Sequence, residues 1–352
     1  MAKDATNLAA VLHAKATDLV VEERPIPSPG SGEILIRHHA IAVNPIDTKR
    51  QALGLYTPSY PVILGNDVSG IVAAVGLNVT TFKAGDRVIG FVDAFHTGNN
   101  DRAAFQTYSI CNAINAVHLP DNITFGQGAT LPTSVGTGAA ILFDTLKFPL
   151  PSDAPRPLTS EAPILLIWGG ASATGMATIQ LARLMGFTVY ATASARHHSY
   201  LRSLGASVLV DYRSPTAVED LVSAAEKAGK QILYAVDTVS TKETLSLTSE
   251  VLSRFASSET TSKLATLLPW PADQMPRPAG IESEMVYGNV LWDSRRDLAA
   301  WLGENKRLTG WLEQGVFVPP PCRVIEGGVG GLQKAIDEVK AGVSRKKVIV
   351  EL

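Results

Sequence analysis

The sequence predicts an α/β protein in two parts: a β-rich segment of short strands, then a doubly wound parallel sheet of Rossmann type. Three observations predict it. In the first part, short alternating apolar and polar stretches are broken by turn residues without intervening helices. Beyond the Pro-rich stretch 149–157, apolar strand-like runs alternate with helical ones. A turn of small residues joins the first strand of that second part to its first helix.

In order along the chain, 33–38 and 70–75 alternate as half-buried strands do. They are set off by 25–30, Gly76-Leu77-Asn78 and Ala84-Gly85-Asp86. Short strands so spaced, without helices among them, predict a small barrel or sandwich. Prolines in 149–157 fix φ and remove backbone donors, so this stretch reads as an irregular connection. Ile164-Leu165-Leu166-Ile167-Trp168 is apolar throughout, as a strand buried on both faces must be. A helix over 177–186, a strand over 188–192, a helix over 200–204 and a strand over 207–210 follow. A helix over 217–228 and a strand over 232–236 continue the alternation. The chain ends in a helix over 332–341 and a strand over 347–352, and pattern leaves open to which part this tail belongs. The Ser/Thr-rich 246–262 is polar, and no internal repeat is present.

The first strand of the second part runs into Gly169-Gly170-Ala171-Ser172-Ala173-Thr174-Gly175 and then a helix. Gly170, Ser172 and Gly175 stand at dinucleotide-fingerprint spacing, with serine at the middle glycine's place. Small residues let the backbone approach a pyrophosphate, and the helix start supplies unpaired N–H groups. The competing reading is an ordinary tight turn. A site for NAD places an acid at the end of the second strand, to hold the ribose 2′-hydroxyl. Here Thr192-Ala193-Ser194-Ala195-Arg196-His197 contains no carboxylate, and a hydroxyl with a guanidinium suits a 2′-phosphate. The expected cofactor is NADP(H), unless Arg196 is only an exposed residue at a helix start.

The chain has 352 residues, enough for two cores, with 45% hydrophobic and 18% charged residues and a net charge of −2. No basic excess exists to hold nucleic acid or an anionic membrane. The N-terminus lacks the features of a secretory signal, and no apolar run approaches a membrane span. With two cysteines, Cys111 and Cys322, disulfides are no structural device. The expectation is a cytoplasmic protein, monomeric or homodimeric.

Several short pieces resemble the medium-chain dehydrogenase/reductase superfamily almost end to end. They are Asn44-Pro45-Ile46-Asp47-Thr48-Lys49, Leu64-Gly65-Asn66-Asp67-Val68-Ser69-Gly70, Gly85-Asp86-Arg87-Val88 and Ala104-Phe105-Gln106-Thr107-Tyr108. To these add Ala129-Thr130-Leu131-Pro132, Leu204-Gly205-Ala206 and Asp211-Tyr212-Arg213. The branch it resembles most is the zinc-independent fungal enoyl reductases that act in trans on polyketide synthases, typified by the lovastatin one; the length of the phosphate loop selects it. The resemblance implies a GroES-like catalytic domain of residues 1–148 and 310–352 and a Rossmann NADP-binding domain of 149–309. It implies an active site in the cleft between them. By motif position, Ile46, Asp47, Thr48 and Lys49 would line the cofactor. So would Ala171, Ser172, Ala173 and Thr174, then Ser194, Ala195, Arg196 and His197, and finally Tyr212, Leu267, Leu268, Val343 and Ser344. Thr137, Gly138, Ala139, Ala140, Ile141, Leu142, Phe143 and Asp144 would face the substrate, with Val286, Tyr287, Gly288, Asn289 and Val290. After Asp237 the chain departs from the family: a glycine-rich turn is usual there, and this sequence has 246–262 instead.

Zinc alcohol dehydrogenases of the superfamily carry cysteine where Asn44 stands and histidine where Asn66 stands. Neither amide replaces a thiolate or imidazole as zinc ligand, and two cysteines cannot form the four-cysteine lobe. The seven histidines (13, 38, 39, 96, 118, 197, 198) show no ligand spacing. No metal is expected. Reduction of a C=C bond conjugated to a carbonyl places charge in an enolate, which hydrogen bonds alone can stabilise. The expected reaction is therefore NADPH-dependent reduction of an activated C=C bond in a small or carrier-bound enoyl substrate. Lys49, as ribose contact or proton relay, and Thr137, at a predicted helix start and donating to the substrate carbonyl, are the candidate catalytic residues. The plainer readings are a solvated loop lysine and a helix cap, and Asp47 reads as a structural acceptor. Rivals are a quinone reductase, or the fold used as a non-redox cyclase or partner of a synthase.

Overall fold

In a computed structural model, which describes residues 6–151, 155–257, 259–288, 290–292, 294–303 and 306–352, the β-rich character of the first part is plain. Its strands are β1 (Asn7–Leu12), β2 (Val20–Arg24), β3 (Glu33–Ala42), β4 (Val62–Ile63), β5 (Asp67–Val75), β6 (Arg87–Phe91), β7 (Tyr108–Asn112) and β8 (Ala116–His118). Among them lie α1 (Pro45–Leu53), α2 (Ala94–Thr97) and α3 (Phe125–Ala129), and α4 (Pro132–Ala139) leads into a π-helical turn, Ala140–Thr145. The alternating region contributes β9 (Ile164–Trp168), α5 (Ala173–Leu184), β10 (Thr188–Thr192), α6 (His198–Ser203), β11 (Val208–Val210) and α7 (Ala217–Lys227). It continues through β12 (Tyr234–Asp237), α8 (Lys242–Ser253), β13 (Ser262–Thr266) and β14 (Ile281–Met285). The chain closes with α9 (Arg296–Leu302), α10 (Arg307–Glu313), β15 (Cys322–Ile325), α11 (Leu332–Ala341) and β16 (Lys347–Glu351).

Two compact units result, residues 1–133 with 296–352, and residues 134–295. These bounds fall earlier than the 148/149 and 309/310 divisions expected from the sequence. In the first unit a seven-stranded sheet runs β15-β16-β3-β5-β6-β8 with β7 on β3, and a small sheet runs β2-β1-β4. β16 pairs antiparallel with β3, which places the tail in this unit. Its core includes Leu12, Ile34, Ile36, Ile63, Leu64, Phe105 and Val350.

The expectation of strands without helices fails at α1. Pro45 stands at the start of this helix, where its missing N–H removes no bond. The Asp47 carboxylate accepts from the Asn44 backbone N–H at 2.8 Å, half of a capping box. Gly54, at φ 68°, ends the helix in a left-handed conformation. Caps rather than an apolar stripe define α1, so periodicity could not find it.

In the second unit six parallel strands run β11-β10-β9-β12-β13-β14. This is the dinucleotide-fold order, with β9 at the centre and the chain reversing direction across the sheet beside it. Leu165 of β9 sits opposite Val189 of β10 and Tyr234 of β12, and all five β9 residues are buried. Side chains of α7, α8 and the strands, including Leu221, Leu252, Leu166 and Trp168, form the core.

Candidate dinucleotide site and its surroundings

The loop after β9 occupies the switch point of the parallel sheet. Gly169 has φ 85°, and a Cβ there would lie 2.5 Å from Thr238 Oγ1, so glycine is required twice over. The amides of Gly169 and Gly170 donate to Thr192 Oγ1 (3.1 Å) and Thr192 O (2.9 Å), tying the loop to the end of β10. A Cβ on Gly175 would lie 2.5 Å from Gly169 O and 2.9 Å from Gly170 Cα, which is how closely α5 packs on the strand end. Ser172 explains its place in the fingerprint: it is the N-cap of α5. Its Oγ accepts from Gly175 N at 2.9 Å and donates to Thr238 Oγ1 at 3.0 Å. The amides of Ala173 and Thr174 open the helix, where no intrahelical acceptor exists. Half-buried Ala171, Ser172, Ala173 and Thr174 thus form a bare-backbone cradle at a positive dipole end, which fits a pyrophosphate.

At the end of β10, Ser194 is buried and Ala195 and Arg196 are exposed; Arg196 Nε lies 3.2 Å from Nε2 of the buried His197. An acid assigned no role at the site from sequence stands beside this turn. Asp211, following β11, accepts from Ala195 N at 3.1 Å and binds the Arg213 guanidinium at 3.1 and 2.8 Å. That guanidinium holds the Asp211 carboxyl well below the usual carboxylate range. Tyr212 is exposed between them. Past β13, Leu267 N donates to Ser240 Oγ (2.8 Å), Leu268 O accepts from Thr266 Oγ1 (2.8 Å), and both side chains are half-buried.

The candidate substrate residues divide. Thr137 does not start a helix: α4 begins at Pro132, which leaves Thr137 in its interior. A Cβ on Gly288 would lie 2.5 Å from Thr137 Oγ1, so these two residues do come together. Ala139, Ala140, Ile141, Leu142 and Phe143 are buried, and Gly138 packs near Leu181 and Thr178. Their stretch ends in a π-helical turn, a form found often at functional sites. Asp144 is ion-paired to Arg295 at 3.0 Å. Val286 is buried, Tyr287 is exposed and Val290 begins a short 3₁₀ turn; Asn289 lies outside the described residues.

In the other unit, α1 carries half-buried Ile46, Thr48 and Lys49, and Thr48 Oγ1 donates to Pro45 O. Asp47 is fully buried, burial pushes its carboxyl up to about 6, and its Oδ2 caps α1. Val343 and Ser344 are exposed after α11. The Asn44 amide is engaged at both ends: Nδ2 donates to Asp67 Oδ2 at 3.0 Å, and Oδ1 accepts from Lys347 Nζ. Lys347 Nζ also reaches Asp67 Oδ2 at 3.1 Å, and Asp67 Oδ1 accepts from Thr133 N and Oγ1 at 3.0 and 2.5 Å. Asn66 Nδ2 donates to Val92 O at 2.9 Å. A buried ammonium beside a committed amide is a poor setting for a divalent cation. Among the described residues no three His, Cys, Asp or Glu side chains converge as a metal site would need.

Residues 30–128 match the alcohol dehydrogenase GroES-like domain and residues 173–258 match the zinc-binding dehydrogenase domain. The dehydrogenase orsE of Emericella nidulans is 32% identical over 99% of this chain and 100% of its own. The trans-enoyl reductase himH of Aspergillus japonicus is 33% identical over 91% and 90%. The chain belongs to the medium-chain dehydrogenase/reductase superfamily. Within that superfamily, the crystal structure of an alcohol dehydrogenase superfamily protein from Novosphingobium aromaticivorans shares the fold, with a TM-score of 0.80 at 24% identity over 99% and 100% of the chains. The second unit is accordingly the superfamily's nicotinamide-dinucleotide-binding domain. No helix among the described residues is long and apolar enough to cross a membrane.

Proposed function

We propose that this protein uses NADPH to reduce a carbon–carbon double bond conjugated to a carbonyl, without a metal, on an enoyl group held by a small thioester or a polyketide synthase carrier. The observation that carries the reading is the Gly169–Gly175 cradle at the sheet's switch point, with Ser194, Arg196 and Arg213 beside the end of β10. The trans-enoyl reductase name of himH supports the reaction class.

When bound, the dinucleotide supplies a hydride. The chain does the rest. The amides of Ala173 and Thr174 hold the diphosphate, and Ser172 keeps them aimed by capping α5. Ser194 and Arg196 meet the 2′-phosphate, while Leu267 and Leu268 give a partly apolar wall. Thr137 Oγ1 donates to the substrate carbonyl, stabilising enolate oxygen charge, and Lys49 contacts the cofactor ribose or relays the proton to the α-carbon. No Lewis acid is required for this charge pattern, which agrees with the amides of Asn44 and Asn66 where the zinc enzymes have thiolate and imidazole.

The test is loss of NADPH absorbance with three acceptors: an α,β-unsaturated thioester, a simple quinone and a saturated ketone. Turnover greatest on the thioester supports the proposal. Faster quinone reduction would instead make the protein a quinone reductase, and product formed without NADPH loss would point to a non-redox reaction.

A further inference from the structure

The turn after β10 holds no acid, yet a carboxylate stands beside it. The register that sets Thr192 opposite Val210 brings the end of β11 next to the end of β10, and Asp211 Oδ2 accepts from Ala195 N at 3.1 Å. Left alone, that carboxylate would sit by the turn from which enzymes of this fold hold an adenosine ribose. It would accept a bond from a 2′-hydroxyl and repel a 2′-phosphate.

Asp211 is not left alone. Oδ1 accepts from Arg213 N at 3.0 Å and Arg213 Nε at 3.1 Å, and Oδ2 accepts from Arg213 Nη2 at 2.8 Å as well as from Ala195 N. A carboxylate has about four lone-pair sites, and here four donors fill them. No acceptor remains for a ribose hydroxyl. The guanidinium has five N–H groups and spends two on Asp211, so three remain for another anion. The side chain of Arg213 is 61% exposed against 24% for Asp211: the cation faces solvent and the anion lies beneath it. Two donors on the same Oδ2 atom also make the guanidinium a neighbour of the amide that opens the 195–197 turn.

We infer that the Asp211–Arg213 pair determines coenzyme preference, Arg213 cancelling the acid and presenting its spare N–H groups to the 2′-phosphate of the bound dinucleotide. This rests on reading the second unit's site as one for NADP(H), and it adds a specificity residue to Ser194 and Arg196.

Calorimetry on the full chain with adenosine 2′,5′-bisphosphate and with adenosine 5′-monophosphate tests it without turnover. Arg213→Ala should weaken the bisphosphate about tenfold or more while the monophosphate binds as before or more tightly. Adding Asp211→Asn to Arg213→Ala should restore part of the bisphosphate affinity, because the repelling charge is then gone. Arg213→Gln, longer and uncharged, gives the same reading should the alanine variant fold poorly. Equal loss for both ligands, or no loss for either, would overturn the inference while leaving the coenzyme reading standing. A wild-type protein that binds neither ligand would overturn both.

Discussion

Replacing Lys347 with methionine tests what holds the first unit around α1. The Lys347 side chain is 6% exposed and its Asp67 partner 0%, with Nζ 3.1 Å from Oδ2. In Lys347→Met the Asp67 carboxylate keeps three neutral donors, Asn44 Nδ2 and the N–H and hydroxyl of Thr133, and loses its counter-charge. Asp47, fully buried and electrostatically coupled to both Asp67 and Lys347, adds a like charge. Removing one partner of a buried pair costs about 3–5 kcal/mol. Removing both, in Asp67→Asn with Lys347→Met, takes the stranded charge away and should recover most of the loss. Urea unfolding followed by circular dichroism, on the wild type, the single and the double variant, measures each term. A single variant less than about 1 kcal/mol below wild type, or a double variant no more stable than the single, would refute the reasoning.

Gly175→Ala should weaken NADPH binding by about tenfold or more, because its methyl group would displace the loop that presents the diphosphate-binding amides; calorimetry checks it. Lys49→Ala should cut turnover clearly while leaving thermal stability near wild type, since Lys49 is only half-buried on α1; unchanged kinetics would remove it from the mechanism. Two buried groups should give opposite pH trends. Burial pushes His38 down to about 4 from 6.5, so the stability it lends is full above pH 6.5 and is lost as pH falls toward 4, by about 3 kcal/mol at most. Burial pushes Asp47 up to about 6 from 3.8, so its penalty is absent below 3.8 and grows to a similar size as pH rises through 6. Asp47→Asn should therefore gain stability relative to wild type between pH 4 and 7, read from denaturant midpoints across that range.

The second unit's sheet was legible wherever apolar runs were long and capped. The strands 164–168 and 188–192 match β9 and β10 residue for residue, and the terminal helix matches α11. α1 was not legible: it buries polar Asp47, Arg50 and Gln51, so no apolar stripe marks it. β14 reads Ile-Glu-Ser-Glu-Met, an edge strand too polar to stand out, and β13 reads Ser-Lys-Leu-Ala-Thr, a short run that starts at the last residue of the Ser/Thr-rich stretch. At the site, spacing revealed the glycines and the serine but not that Ser172 is a cap. Asp211 stands in the Asp211-Tyr212-Arg213 piece, but its place at the site did not show, because it comes from the pairing of β10 with β11, which brings together residues that are 16 apart in the chain.

The most direct measurement follows one atom. With NADPH deuterated at the transferred position, an α,β-unsaturated thioester and a strong chelator present, mass spectrometry of the reduced product should find the deuterium at the β-carbon. Product lacking that deuterium, or a reaction abolished by the chelator, would contradict the account.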